Sequence, residues 1–477
     1  MTPPIKPTSN APVVVPGGHG PVVINRELIA KYDKPGPRYT SYPTAPHFSE
    51  SFNGSAYLAE IDRSNRDEAD RDLSLYFHIP FCDTLCWYCG CNVVITQKRE
   101  KALPYVDYLK REVDLVAERI AKGRKVTQLH WGGGTPTYLE AEQIRDIMSH
   151  VHARFDLADD MEASVELDPR DCTKERLAAL RDFGFNRASM GIQDFDPVVQ
   201  ARVNRIQPED LTWKVINWCR ELGYKSVNVD LIYGLPLQTT ERFEHTVEEV
   251  IRINPERIAT FNYAHVPWLK KHQVMIKEDE LPSPEEKLRL FEMISTRFHD
   301  AGYEFIGMDH FAKPADPIAR AQREGTLYRN FQGYTTHAGC DLYAFGITAI
   351  SQLRRCYSQN VKKIPEYYAA IDAGHLPVER GVLLSEEDLL RRDVITRLMC
   401  NFELNPADFE AEYGIDFGTH FAKAMELFDG FEADGLVVRE GGEIKVTPAG
   451  RMLIRNIAMP FDAYLGTKPG QRFSRTV

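Results

Sequence analysis

The stretch LSLYFHIPFCDTLCWYCGC, Leu73 to Cys91, decides the fold. Its first seven residues are an apolar run of strand length, and four of the chain's nine cysteines follow within ten residues. Cys82, Cys86 and Cys89 have the spacing CxxxCxxC. Three thiolates on one tight loop can hold three irons of a 4Fe-4S cube and leave the fourth iron open to a ligand. A zinc site closed by Cys91 is the alternative, although zinc sites usually pair two close ligands with a second pair a dozen or more residues away. Two disulfides inside ten residues would strain the Cα separations that an S–S bond requires.

Outward from this stretch, five further runs have strand length: 126–131, 163–167, 187–192, 226–233 and 258–264. Between them lie helical periodicities, such as Leu109, Val113, Val116 and Ile120, or Ile144, Ile147, Val151 and Phe155. Six strand-helix units with short connections imply parallel strands, right-handed crossovers and outer helices. Six is fewer than the eight of a closed barrel, so an open, partial (β/α)6 barrel of the α/β class is expected. Ligands of such folds sit at the carboxyl ends of the strands. The cysteine loop follows the first run, and Gly132, Gly133, Gly134 and Thr135 follow the second in a turn whose backbone can approach a ligand. Glu166 with Asp168, Gln193 with Asp194, Asp230, and Ala264 with His265 end the remaining four.

The 477 residues carry 58 basic and 69 acidic groups, a net charge of -11, which argues against a broad nucleic-acid or anionic-membrane surface. No window approaches the apolar length of a membrane span, and the N-terminus has no basic-then-apolar leader pattern. The expected compartment is the cytoplasm, whose reducing conditions suit thiolates. Residues 1–23, with six prolines and three glycines, read as a disordered tail. Residues 24–72 form an N-terminal segment rich in proline and tyrosine, 73–374 the main α/β domain, and 375–477 a smaller, mostly helical domain with a β-hairpin across Gly441 and Gly442.

With HIPFC before it, Tyr88 inside it and CGCN closing it, the cysteine loop resembles that of radical S-adenosylmethionine (SAM) enzymes, and specifically of the oxygen-independent coproporphyrinogen III oxidase family. GPRYTSYPT near the N-terminus, GMDHFA and NFQGYTT extend the resemblance to about residues 24–477. It implies that Cys82, Cys86 and Cys89 hold a 4Fe-4S cluster, that Cys91 does not, and that Tyr76 stands with the three cysteines among the catalytic residues. It implies that Tyr76, Tyr88, Gly133, Glu166 and Ile350 contact the SAM bound to the open iron. Gly134, Thr135, Gln193, Arg205, Asp230 and Ala264 would contact a second SAM. The implied reaction is radical oxidative decarboxylation of two propionates of coproporphyrinogen III to vinyl groups, giving protoporphyrinogen IX for heme synthesis. It needs a one-electron donor and an electron acceptor, and a monomer is the expected state.

The N-terminal segment would then lie near the substrate cavity, with Arg38 and Arg329 as candidates to pair with the four substrate carboxylates. The region beyond 270 reads as a loop-rich cap, and the resemblance loosens from His337 to Phe345. The C-terminal module resembles a winged helix, yet it has no dense basic helix, so covering the open barrel is expected rather than nucleic-acid binding. Two rival readings are a heme-trafficking protein of the same superfamily and a zinc-binding module.

Overall fold

The computed structural model describes residues 13–15, 22–467, 473 and 475–476. Its centre is a twelve-stranded sheet built around the six expected strands: β1 (Leu73–Ile79), β2 (Lys125–Gly133), β3 (Asp156–Leu167), β4 (Arg187–Gln193), β5 (Ser226–Tyr233) and β6 (Arg257–Asn262). The six run parallel to one another, with helices such as Ala102–Ala117 and Ala141–Arg154 between them, and β6 meets the next strand outward antiparallel. Ile120 and Phe155, expected to continue two of these helices, lie just past their ends. Along β3, β4 and β5 burial alternates residue by residue. Apolar side chains such as Val165, Met190 and Val229 are buried, while Glu166, Ser189 and Asp230 point to the other, partly open face. Period-two alternation in a parallel strand, with apolar residues on the helix-covered side, leaves the second face polar enough to line a site.

The region after 270 is more regular than the expected loop-rich cap. It supplies β7 (Glu304–Gly307), β8 (His310–Ala312), β9 (Asp341–Phe345), β10 (Ile350–Leu353) and β11 (Cys356–Asn360), and β12 (Val378–Leu383) completes the sheet. The strand order is β7-β8-β6-β5-β4-β3-β2-β1-β9-β10-β11-β12. β9 pairs parallel with β1 from Asp341↔Leu73 to Phe345↔Phe77, so the parallel core has seven strands rather than six. All five residues of β9 are buried, and a short strand covered on both faces shows no alternation by which to recognise it. β7 and β12 remain as separate edges, so the sheet is open. It also runs to Leu383, past the boundary expected after 374.

Beyond it, helices Glu386–Asn401, Pro406–Tyr413 and Ala422–Ala433 pack with a three-stranded antiparallel sheet whose hairpin turns at Gly441 and Gly442 as expected. At the other end of the chain, Val13–Val15 pairs with Val22–Ile24, which departs from the disordered tail expected for 1–23; residues 1–12 and 16–21 of that tail lie outside the described residues.

The N-terminal segment is seated on the C-terminal module. Buried Arg455 donates to the carbonyls of Pro37, at 2.9 Å, and of Gly36. Asn456 Nδ2 donates to Tyr32 O at 2.8 Å, Tyr39 Oη to Asp462 at 3.0 Å, and the Ala463 N–H to Tyr42 Oη at 3.0 Å. These bonds fix the stretch 34–43, whose prolines forbid a long helix, as a strap between helices Arg26–Tyr32 and Gly54–Asp67.

Candidate active site

The cysteine loop leaves the end of β1 and is fastened on several sides. Phe81–Cys82 pairs with Val94–Ile95. The Trp87 N–H donates to Val203 O at 2.9 Å, Asn204 Nδ2 to Leu85 O at 2.8 Å, and Gln273 Nε2 to Tyr88 O at 3.0 Å. His272 Nε2 lies 2.7 Å from Cys89 O, and Lys270 Nζ donates to Cys91 O at 3.1 Å. A loop held mainly through its backbone keeps its side chains free to bind something.

Cys82, Cys86 and Cys89 are buried or half-buried, Cys91 is exposed, and no cysteine is in a disulfide. Two guanidiniums converge on Cys86 Sγ: Arg170 Nη2 at 3.4 Å and Arg205 Nη1 at 3.7 Å. Cys82 Sγ lies 3.4 Å from Thr135 Oγ1, and burial pushes its thiol up to about 12. A hydrogen bond from Cys91 holds Cys89 below, and Cys91 above, the usual thiol range. A tetrahedral zinc with bonds of about 2.3 Å would draw its sulfurs to about 3.8 Å apart. Among the described residues, the group of three potential ligands with atoms within 4.8 Å of one another is Glu209, His245 and Glu249, and no three of the loop cysteines are drawn that close together.

The glycine turn after β2 runs beneath this loop. Gly133 has φ +118°, a region that favours glycine, and a Cβ on Gly134 would stand 2.6 Å from Pro80 O. The Gly133 N–H donates to Glu166 Oε2 at 3.1 Å, and Glu166 Oε1 lies 3.3 Å from His130 Nε2. Burial opposes ionisation of Glu166, but His130 and the Gly133 N–H outweigh it and hold the carboxyl below its ordinary value. Tyr76 stacks on His130 with ring centroids 5.7 Å apart and shares a 3.2 Å hydrogen bond with His78 Nδ1. Asp168 accepts from Arg170 at 2.7 Å and Arg205 at 3.0 Å; these cations overcome its burial and take it down to about 2. Asp230, which accepts from Asn228 at 2.9 Å and Ser189 at 3.1 Å, is pushed up to about 6 by burial and the nearby Glu166 charge.

Gln193 ends β4 in a left-handed conformation, φ 68°, which a residue with a Cβ adopts only when its surroundings enforce it. Gln193 Oε1 and Arg205 Nε are buried without a partner inside the protein. Unpaired buried polar atoms cost free energy, so two of them aimed at one region mark the place of an absent polar ligand.

The structure therefore brings together Tyr76, Tyr88, the three cysteines, Gly133, Gly134, Thr135, Glu166, Gln193, Arg205 and Asp230. Ala264 lies beyond the end of β6, exposed, with its carbonyl 3.4 Å from Gln273 Nε2. Ile350 opens β10, two strands from Tyr76, and packs toward Phe48 and Tyr357. Asp194, which the sequence places on the rim, is instead buried, accepting from Thr246 Oγ1 at 2.6 Å and Gln238 Nε2 at 2.8 Å, so it braces the structure. His130, Ser189, Asn228 and Arg170 were missed because they lie within strands or past a strand end already credited to another residue. The polar alternation of β3 to β5 was the available signal.

Arg38 and Arg329 lie next to each other, away from the contacts of the cysteine loop. Arg38 pairs with Asp309 at 2.9 Å, while Arg329, 8% exposed, donates to Arg38 O at 3.2 Å and lies over the Tyr334 ring at 5.2 Å. Arg329 makes no carboxylate ion pair among the described residues, and its Nε has no partner; nor has His310 Nδ1. Burial, then Arg329, push His310 down to about 4, so it is a neutral imidazole near pH 7.

A three-cysteine loop at the carboxyl end of the first parallel strand, facing polar strand ends, defines a radical SAM enzyme, and the Radical SAM superfamily matches residues 76–250. The HemN C-terminal domain matches 384–453. The oxygen-independent coproporphyrinogen III oxidase of Escherichia coli K12 is 48% identical over 451 residues, 94% of this chain and 98% of its own. That of Synechocystis is 47% identical over 461 residues, 96% of this chain and 98% of its own. The solved structure of the Escherichia coli coproporphyrinogen III oxidase (HemN), described as a radical SAM enzyme, superposes with a TM-score of 0.88 at 46% identity, covering 92% of this chain and 99% of that one. The chain belongs to the family of oxygen-independent coproporphyrinogen III oxidases. It is a radical SAM oxidoreductase whose cofactors are a 4Fe-4S cluster and SAM. The separation of the loop cysteines, the guanidiniums on Cys86 and the orphaned Gln193 and Arg205 atoms fit those groups.

Proposed function

We propose that the chain decarboxylates two propionates of coproporphyrinogen III to vinyl groups, yielding protoporphyrinogen IX, with Cys82, Cys86 and Cys89 as the cluster ligands. The observation that carries this reading is the three-cysteine loop facing Glu166 and the Arg205–Asp168 pair at the strand ends, with Arg329 buried elsewhere without a carboxylate partner among the described residues. The cluster and SAM, when bound, supply a hydrogen-abstracting radical, after which carbon dioxide leaves and an electron passes to an external acceptor.

The protein's own residues bind and orient. Glu166, held below its ordinary value by His130 and the Gly133 N–H, would accept from hydroxyl or amine groups of one SAM, which Tyr76, Tyr88, Gly133 and Ile350 would also hold. Gly134, Thr135, Gln193, Arg205, Asp230 and Ala264 line the place of a second SAM, where the unpaired Arg205 Nε and Gln193 Oε1 find partners. Arg38 and Arg329 pair with substrate carboxylates; Arg329, buried without a carboxylate, is costly until an anion reaches it, whereas Arg38 already has Asp309 and would share its charge. In this reading 24–72 is the strap over the site and the C-terminal module its cover. The enzyme works as a cytoplasmic monomer with separate electron donor and acceptor, and no described helix is long and apolar enough to cross a membrane.

The test is anaerobic turnover with coproporphyrinogen III, SAM and a chemical reductant, following vinyl porphyrin and 5′-deoxyadenosine in the same reaction. Formation of 5′-deoxyadenosine without any vinyl product would reject the decarboxylase reading while leaving the radical SAM assignment in place.

A further inference from the structure

The segment that fastens the cysteine loop from outside, residues 265–277 (HVPWLKKHQVMIK), has a surface unlike the rest of the molecule. Of the twelve large apolar side chains exposed among the described residues, four lie in it: Trp268, Leu269, Val274 and Met275, each between 49% and 70% exposed. Its charged residues are Lys270, Lys271 and Lys277, with no carboxylate, in a chain whose net charge is -11. Among the described residues none of these lysines forms an ion pair, and Lys271 and Lys277 are exposed. Folding alone gives no reason for this surface. The inner side chains, Gln273 and Ile276, already anchor the segment, Gln273 to Tyr88 O and Ile276 among Val199, Val203 and Tyr263. Leu269, Val274 and Met275 are exposed beyond that packing and cost solvation.

We propose that this surface is the docking site for a small acidic one-electron carrier protein that reduces the cluster. Position, charge and size each point to this occupant. The segment touches the cluster loop through His272 to Cys89 O and Lys270 to Cys91 O, so a protein seated on it lies against the exposed Cys91 edge of the loop. A few apolar side chains ringed by lysines match the small, transient interfaces of electron-transfer complexes, under about 1,200 Å², and lysines on an otherwise acidic protein steer an acidic partner to one face. The acidic turn Glu278–Glu280 bounds the patch on one side. A long basic amphipathic helix, as a membrane surface would require, is absent from the segment, which is a five-residue 3-10 turn, Lys271–Met275. In the transfer the reduced carrier loses one electron and the 4Fe-4S cluster gains it, passing from the 2+ to the 1+ state, with no bond made or broken. The inference rests on the presence of the cluster but not on the identity of the porphyrin substrate.

The test uses the cluster-loaded full chain and an acidic flavodoxin as the probe, measuring its Kd by calorimetry at low and high salt. A second readout is 5′-deoxyadenosine formation driven either by the reduced flavodoxin or by dithionite. The variants are Lys271→Glu/Lys277→Glu and Leu269→Ser/Met275→Ser, which leave every contact to the cysteine loop in place. The expected result is flavodoxin binding that weakens with salt, a Kd raised tenfold or more in the lysine variant and severalfold in the apolar one, with iron content and dithionite-driven cleavage unchanged. Unaltered flavodoxin affinity in both variants overturns the proposal. So does a loss of dithionite-driven cleavage equal to the loss with flavodoxin, or a patch that mediates self-association or binding to anionic vesicles instead.

Discussion

The residues at the ends of the parallel strands and those around the N-terminal strap differ in origin. On the cluster side, Glu166 and Asp168 lie at the end of β3 and Asp230 on β5, two strands away in the same parallel sheet, and each is fixed by neighbours on those strands or by the turns that follow them. On the strap side, Arg38, Arg329 and Arg455 come from sequence positions hundreds of residues apart and are brought together by packing of the two chain ends. Carboxylates suit a cofactor carrying a sulfonium and an amine, whereas guanidiniums suit a substrate with four carboxylates. The comparison teaches that residues set by one run of parallel strands and residues set by long-range packing reach their places by different structural routes.

The largest effect expected is on the cluster side. Cys82→Ala, Cys86→Ala and Cys89→Ala each abolish the reconstituted cluster, whereas Cys91→Ala retains it, as read by iron content and electron paramagnetic resonance. A Cys91 variant without iron beside a Cys89 variant with it would move the ligand set.

On the strap side, losing a charge-assisted hydrogen bond to a carboxylate costs about 1.5 to 3 kcal/mol, a tenfold to hundredfold weakening. Arg329→Met is expected to weaken coproporphyrinogen III binding to that extent while 5′-deoxyadenosine formation persists. If SAM affinity drops instead, the division between the two regions fails. Glu166→Gln is the converse: the SAM concentration needed for half-maximal cleavage rises about tenfold, with iron content and porphyrinogen affinity unchanged.

A smaller effect sharpens the contrast through pH. Asp230, at about 6, is ionised at pH 7 and loses its charge as pH falls. Its raised value means that the neutral form gains at low pH, so attraction for a cationic cofactor is present above pH 6 and fades below it. Between pH 7 and 5.5 the ionised fraction drops about fourfold, and kcat/KM for SAM is expected to follow. Asp168, at about 2, stays charged throughout, so Asp230→Asn should flatten the profile. A profile unchanged in that variant would place the titrating group elsewhere.

Which parts were legible in the sequence follows from the range of the forces involved. The six parallel strands, the cysteine loop and the glycine turn are written in local signals: strand-length apolar runs, cysteine spacing, and glycines where φ or a close backbone approach demands them. β9 was invisible because a short strand buried on both faces has no periodicity. Asp194 was misplaced because a carboxylate at a strand end looks the same whether it meets a ligand or, as here, Thr246 and Gln238.

By itself, then, the sequence determined the chemistry at the cysteine loop and the parallel α/β architecture carrying it, because both depend on residues a few positions apart. Only the tertiary structure decided that the strap is seated on the C-terminal module, that Arg455 grips the carbonyls of Gly36 and Pro37, and that Arg38 and Arg329 meet beside Asp309. Those contacts join residues about 300 to 400 positions apart and consist mostly of bonds to backbone carbonyls, which every residue type supplies alike. No side-chain pattern encodes them, and they appear only when the chain ends are packed together.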